Sequence, residues 1–529
     1  MAGVFMISAT EIKAQETTAA KPVQVVKPEK TPDVKAGLMR GPYLQVATSE
    51  SIIIRWRTDA MTRSVVNYGT SEGELTLRAS DPELTFEHQV KLTGLSPRTK
   101  YYYSIGGGNG DTLQKGPDNF FVTFPETGTE GSYRIGVFGD CGNNSSNQRL
   151  VRDQVEKYVA DKPMDAWILL GDNAYGSGTD PEYQEKFFNI YKDDFLKKYP
   201  VFPAPGNHDY YDFYEFKATN QMTHDIAYYQ NFSMPTKAEA GGVPSGTEAF
   251  YSFDVGNVHF LSLDSYGKED NESRMYDTLG AQVQWIKKDL EAFKNTKRGW
   301  VVAYWHHPPY TMGSHNSDKE GDLIKIREDF IKILERNGVD LIVCGHSHLY
   351  ERSRLMHDHF GPEASFESEE HNLSTSTALY DGSDNSCPYI KDADSNQGTV
   401  YVVSGSAGAL GRGQETYPHD AMYYSNYELG GASMIEVNEN RLELKWIASD
   451  GEIKDRFVMM KDVNKSEVIN IKKGESITLK ASFVGDYSWN KSKETSRSIT
   501  VSPTAAKTVY EVEDPQSCLK DRFEVRVSK

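Results

Sequence analysis

Several features that would settle the class of this 529-residue sequence at once are missing from it. No apolar run approaches the roughly 20 residues a membrane-spanning helix needs. Cysteine is scarce: Cys141, Cys344, Cys387 and Cys518 are too few for a disulfide framework, and none stands in a Cys-x-x-Cys spacing. They are expected to be buried or singly paired thiols, and Cys141 and Cys344 are not counted as ligands despite their neighbours. Positive charge is in deficit, 58 Lys and Arg against 76 Asp and Glu, for a net charge of -18. That balance argues against nucleic acid or an anionic membrane as partner. From Val463 onward basic residues slightly outnumber acidic ones, so the acidity lies in the rest of the chain. A small anionic substrate would need a local positive source here, and bound cations supply one.

What is present describes a globular, β-rich chain of several domains, with 38 % hydrophobic and 12 % aromatic residues. The short apolar run Ala2 to Ala9, followed by Ala14-Gln-Glu, looks like the end of a secretory signal over residues 1–16, which predicts a secreted, periplasmic or surface protein. Residues 17–37, rich in Thr, Ala, Lys and Pro without periodicity, read as a disordered linker. Over residues 38–126, period-two runs such as Ile52 to Arg57, Ser64 to Tyr68 and Lys100 to Ile105 predict a β-sandwich. Within it, Leu95-x-Pro97-x-x-x-Tyr101 resembles the tyrosine corner of fibronectin type III domains. Over residues 133–460, buried strands alternate with amphipathic stretches such as Asn147 to Val159 and Ala281 to Phe293, which predicts a layered α/β domain. The polar stretch from His357 to Gln397 reads as a surface insertion. Residues 463–529 return to β alternation and are similar to small immunoglobulin-like modules.

Five apolar runs of strand length each end in metal-competent side chains. They are Arg134 to Phe138 into Gly139-Asp140-Cys-Gly142; Trp167 to Leu170 into Gly171-Asp172-Asn-Ala-Tyr175; Val201 to Pro205 into Gly206-Asn207-His208-Asp209; Val301 to Trp305 into His306-His307-Pro308; and Leu341 to Cys344 into Gly345-His346-Ser-His348. Singly, each has a plain explanation, since Gly, Asn and Asp suit turns and a lone His-x-His, such as His357-Asp-His359, is more often a surface or satisfied core pair than a ligand pair. Ligands of α/β sheets bind beyond the carboxyl ends of the strands, so five clusters in succession point to one place. Two cations about 3.5–4 Å apart can hold the attacking and leaving oxygens at phosphorus, and a shared carboxylate, Asp172 or Asp140, suits that spacing. Mixed oxygen and imidazole donors imply two unlike metal positions.

In this order the motifs resemble the calcineurin-like metallophosphoesterases. Tyr175 together with Gly345-His346-Ser-His348-Leu-Tyr-Glu-Arg352 looks like the purple acid phosphatases in particular. The resemblance implies a domain of two mixed sheets flanked by helices in four layers, and an acid phosphatase acting on phosphate monoesters. It makes Asp172 the bridging ligand, with Asp140, Tyr175 and His348 on Fe(III) and Asn207, His306 and His346 on a divalent Zn, Fe or Mn ion. It also implies attack by a metal-bound hydroxide. Many relatives carry a His where this chain has Gly142, and Tyr175 fills the missing ligand place. His208, next to Asn207, and His315, a short loop after His306, are the expected catalytic groups for stabilising charge and protonating the leaving oxygen. His306 is chosen over His307 because the motif is His-x-Pro. Two other readings stay open: a phosphodiesterase or nucleotidase using the same centre, and an exported binding or adhesion protein with a vestigial site. Nothing in the sequence sets the oligomeric state.

Overall fold

The computed structural model describes residues 34–210, 217–269, 273–296, 299–392 and 397–528. The expected signal segment and most of the linker lie outside the described residues.

The first unit is one six-stranded sheet, from Leu38–Gln45 through Ser51–Gly69, Leu77–Thr93 and Lys100–Gly106 to the short strands Thr112–Gln114 and Phe120–Val122. The two sequence runs Ile52 to Arg57 and Ser64 to Tyr68 are a single strand. Its register with Leu77–Thr93 shifts between Arg57 and Thr62 and again before Ser64, so a bulge, not a turn, separates them. The Tyr101 phenol accepts the Ser96 amide at 3.0 Å.

Two seven-stranded sheets follow. The first runs in the order Tyr389–Lys391, Ile453–Lys461, Arg441–Ala448, Gly431–Asn438, Ser132–Phe138, Ala166–Leu170, Val201–Ala204. The second runs Tyr251–Val255, Val258–Ser262, Trp300–Trp305, Leu341–Cys344, Val400–Ser404, Tyr350–Ser353, Met422–Asn426. Each strand that carries a motif has a parallel neighbour, Ser132–Phe138 also pairing antiparallel with Gly431–Asn438, and is buried on both faces, which is why these strands read as continuous apolar runs rather than alternating ones. Alternation survives in what each face touches. Trp300, Val302 and Tyr304 join the core shared with the first sheet, whereas Val301, Ala303 and Trp305 pack with Val283, Ile286 and Leu290 of the helix Ala281–Thr296. Polar contacts also cross between the sheets, from the Tyr304 hydroxyl to the Phe202 carbonyl at 3.1 Å and from Ser404 to Ser433 at 2.9 Å.

The helix expected from Asn147 to Val159 spans Ser146–Val159, and the Ser145 side chain caps it by accepting the Gln148 amide. The insertion expected to be mere surface contributes the edge strand Tyr389–Lys391 to the first sheet. It also supplies Cys387, which is disulfide-bonded to Cys518. Cys141 and Cys344 are buried free thiols, and burial raises the pKa of both.

The carboxyl-terminal strands form a four-stranded and a two-stranded sheet. Their core takes in Val458 and Met460 of the first large sheet together with Phe483, Trp489 and Phe523. The Tyr380 hydroxyl donates to Asp514 at 3.0 Å beside the disulfide. This segment is therefore packed against the first large sheet rather than tethered to it.

Candidate metal centre

At the ends of their strands Asp140, Asp172 and His346 adopt positive φ of 57°, 52° and 67°. A non-glycine residue held there costs of order 1–3 kcal/mol, and such strain clusters at functional sites. Here it turns the chain sharply, so that groups from both sheets meet. Asp140, Asp172 and His306 offer ligand atoms within 4.8 Å of one another, and all three residues are buried.

Around this trio two groups form. In one, the Tyr175 hydroxyl lies 2.9 Å from Asp140 Oδ1 and 3.0 Å from His348 Nε2, and His348 Nε2 is 3.5 Å from Asp140 Oδ1. In the other, His306 Nε2 lies 3.0 Å from Asn207 Oδ1, 3.1 Å from His346 Nδ1 and 3.3 Å from Asp172 Oδ2. Asp172 stands between the groups, reaching His306 on one side and Tyr175 on the other. All seven residues expected as ligands converge.

The donor set fits cations. His306 Nδ1 faces the Leu170 carbonyl at 2.8 Å, which places the ring proton there and leaves the Nε2 lone pair facing Asn207, His346 and Asp172. Lone pairs so opposed need positive charge among them. Burial disfavours a charged His306, yet Asp172 overrides it and lifts the imidazole to about 9. Burial drives His346 down to about 3, and hydrogen bonding to Glu320 only partly opposes this. Burial, then the carboxylates of Asp140 and Asp172, hold the Tyr175 phenol well above its usual range; a cation on that oxygen would reverse the balance.

Gly142 explains how Tyr175 reaches this position. A β-carbon at 142 would stand 1.9 Å from the Asn173 carbonyl oxygen, and the Tyr175 amide donates to the Gly142 carbonyl at 2.8 Å. No side chain fits there, so none from that position can serve as a ligand.

The expected catalytic histidines border the centre. The His208 amide donates to Asp172 Oδ1 at 2.9 Å, its ring lies 4.6 Å from that of Tyr175, and its Nδ1 is 2.7 Å from the Gly176 carbonyl. The His315 ring stacks on His346 with centroids 3.6 Å apart. His307, the alternative to His306, has its Nδ1 on the Ser265 hydroxyl at 2.8 Å and stacks on Tyr266. It is His306 that faces Asp172 and Asn207, although His307 also lies within ligand distance of His306 and His346.

Two carboxylates escaped the sequence reading. Asp209, fully buried, accepts from the Gly206 amide at 2.7 Å and from the Asn173 amide and side chain, clipping two ligand loops together. Burial and the nearby Asp172 push it up to about 6. It stands in Gly206-Asn207-His208-Asp209, where nothing local distinguishes it from a turn residue. Glu320 lies against His315 and His346, and no local pattern marks it.

Residues 133–350 match the family model of calcineurin-like phosphoesterases, and residues 40–123 match that of the purple acid phosphatase amino-terminal domain. Purple acid phosphatase 15 of Arabidopsis thaliana is 28 % identical over 56 % of this chain, and the match spans 58 % of that relative's length. Acid phosphatase type 7 of Danio rerio is 23 % identical over 78 % of this chain and 88 % of its own. The solved purple acid phosphatase from yellow lupin (Lupinus luteus) seeds shares the fold, with a TM-score of 0.58 at 19 % identity, covering 81 % of this chain and 74 % of that one. The first match holds all five ligand-bearing strands and the second lies directly ahead of it, so the chain carries a calcineurin-like phosphoesterase domain over residues 133–350 preceded, over residues 40–123, by the amino-terminal domain of the purple acid phosphatases.

Proposed function

We propose that the protein is an acid phosphatase hydrolysing phosphate monoesters at a binuclear Fe(III)–M(II) centre, with Zn, Fe or Mn as the divalent ion. The observation that carries this is the position of Asp172 between two donor groups, Asp140, Tyr175 and His348 on one side and Asn207, His306 and His346 on the other. Two cations so held would neutralise the phosphoryl oxygens and lower the pKa of water. The chain's own groups do the rest. His306 keeps its lone pair inward through the Leu170 carbonyl. His208, anchored on the Gly176 carbonyl, is placed to donate to a phosphoryl oxygen, and His315 to protonate the leaving oxygen.

The finer architecture belongs to the same reading: a fibronectin-III-like sandwich to residue 126, a four-layer domain over 133–460 and an immunoglobulin-like module from 463. The Tyr101 to Ser96 contact supports the first. Export is favoured by the Cys387–Cys518 disulfide, which persists in oxidising compartments. Among the described residues no helix is long and apolar enough to cross a membrane.

Metal analysis, a visible spectrum and parallel assays on p-nitrophenyl phosphate and bis-p-nitrophenyl phosphate test this. Two metals per chain, one of them iron, a tyrosinate absorption band and faster monoester turnover are expected. Absence of iron would refute the ferric assignment, faster diester cleavage would replace phosphatase by phosphodiesterase, and a metal-loaded protein inert on both esters would favour a binding role.

A further inference from the structure

Glu320 precedes the short helix Gly321–Lys325 and turns its side chain back toward the centre. Its Oε1 accepts the Asn316 amide at 2.8 Å, which pins the carboxylate to the loop that carries His315. Its oxygens lie 2.9 and 3.1 Å from His315 Nδ1, and Oε2 is 3.5 Å from His346 Nε2, at the outer edge of hydrogen-bond length. His346 presents its other nitrogen, Nδ1, to His306 Nε2 at 3.1 Å. The His315 and His346 rings are stacked at 29°. One carboxylate and two stacked imidazoles therefore form a single block.

A neutral imidazole carries one N–H, and a carboxylate facing one nitrogen draws the proton to it. With Glu320 on Nε2, the lone pair of His346 is left on Nδ1, the atom that faces His306 Nε2, which itself meets Asp172 and Asn207. Partners of this kind fix the ring and raise its basicity as a ligand, and their loss typically costs 10–100-fold in metal affinity. The same carboxylate takes the His315 Nδ1–H, so the second proton of the imidazolium form sits on Nε2, directed away from Glu320, and its transfer to a leaving oxygen returns His315 to the neutral ring with Nδ1–H still on Glu320.

We propose that Glu320 is a positioning residue shared by the two functions of the centre, fixing His346 as a ligand of the divalent ion and His315 as the proton donor. The inference rests on the reading of His346 as a ligand. It predicts that loss of Glu320 affects metal retention and turnover together, whereas loss of His315 affects turnover alone.

The test uses the full chain with metal contents measured during dialysis against dipicolinate, for wild type, Glu320→Gln, Glu320→Ala and His315→Ala, with circular dichroism confirming that each is folded. The expected result is a 10–100-fold weaker hold on the divalent ion in both Glu320 variants, unchanged iron, and wild-type retention of both metals in His315→Ala. All three variants should lose kcat with little change in KM. Glu320 variants that keep the divalent ion as wild type does would overturn the inference while leaving the binuclear reading intact, and so would His315→Ala losing it equally. Wild type that takes up no second ion would overturn that reading and this inference with it.

Discussion

The Tyr175 amide and the Gly142 carbonyl are joined at 2.8 Å, and this contact exists only because position 142 has no side chain. Asn173 and Ala174 pass through the volume that a β-carbon there would occupy. Gly142→Ala must push that segment, and Tyr175 with it, away from Asp140. Overpacking of this kind costs roughly 1–3 kcal/mol, and a visible band and activity should be lost with it. Tyr175→Phe keeps the fold and is expected to lose the band and the iron without a large drop in melting temperature. A Tyr175→Phe protein that keeps its visible band would show the phenol is not a ligand.

Arg352 and Asp455 join the two large sheets. The guanidinium donates from Nε at 2.6 Å and from a terminal nitrogen at 2.9 Å, both residues are buried, and the Tyr350 hydroxyl adds a third bond at 3.0 Å. Removing one partner of a buried pair typically costs about 3–5 kcal/mol. Arg352→Met and Asp455→Asn should each lower the urea midpoint by a corresponding amount, and the double change should cost less than the sum. Strict additivity would mean the pair does not couple the sheets.

His259 lies fully buried between Asp254, at 2.7 Å, and Asp289, at 2.6 Å. Burial opposes its charge, and the two carboxylates prevail and raise it to about 10. Because the folded value lies above the ordinary 6.5, the stability from this group is complete below about pH 6.5 and is lost as pH rises through about 10. Melting temperature followed from pH 6 to 10.5 should fall more steeply for wild type than for His259→Gln, which starts lower. Parallel curves would refute the charged histidine.

Glu351 is fully buried on the strand Tyr350–Ser353, and the Thr311 hydroxyl and Met312 amide beside its carboxylate fall short of full hydrogen-bond geometry. Burial raises it to about 7, the Thr311 hydroxyl and Met312 amide only partly offsetting this, and Glu363 adds to the rise. A carboxyl raised in the folded state favours its neutral form, so its contribution is complete below about pH 4.5 and declines as pH rises through 7. Glu351→Gln, which cannot ionise, should gain stability relative to wild type between pH 4.5 and 8, read as a widening difference in melting temperature. A difference independent of pH would show that Glu351 stays charged or finds a partner.

Much of the centre was legible because its signals are local. Each ligand follows its own strand by one to five residues, so Gly171-Asp172-Asn-Ala-Tyr175 declares itself without knowledge of any neighbour. The alternation at Lys100 to Ile105 and the helix capped by Ser145 are local as well. Glu320 and Asp209 were missed for the opposite reason. Their roles lie in what they touch, His346 26 residues away for one and Asn173 36 residues away for the other.

By itself the sequence determined which side chains are available and in what order, because strand length, buried apolar runs and the glycine–ligand turns are encoded within a few residues of each other. Only the tertiary structure decided that three of the five strands lie in one sheet and two in the other. It also decided that Arg352 of the motif belongs to Asp455 rather than to the centre, and that Cys387 pairs with Cys518 while the thiols beside the ligands stay free. These are contacts between residues 103 and 131 positions apart, set by how two sheets pack face to face, and no periodicity along the chain specifies which partner arrives.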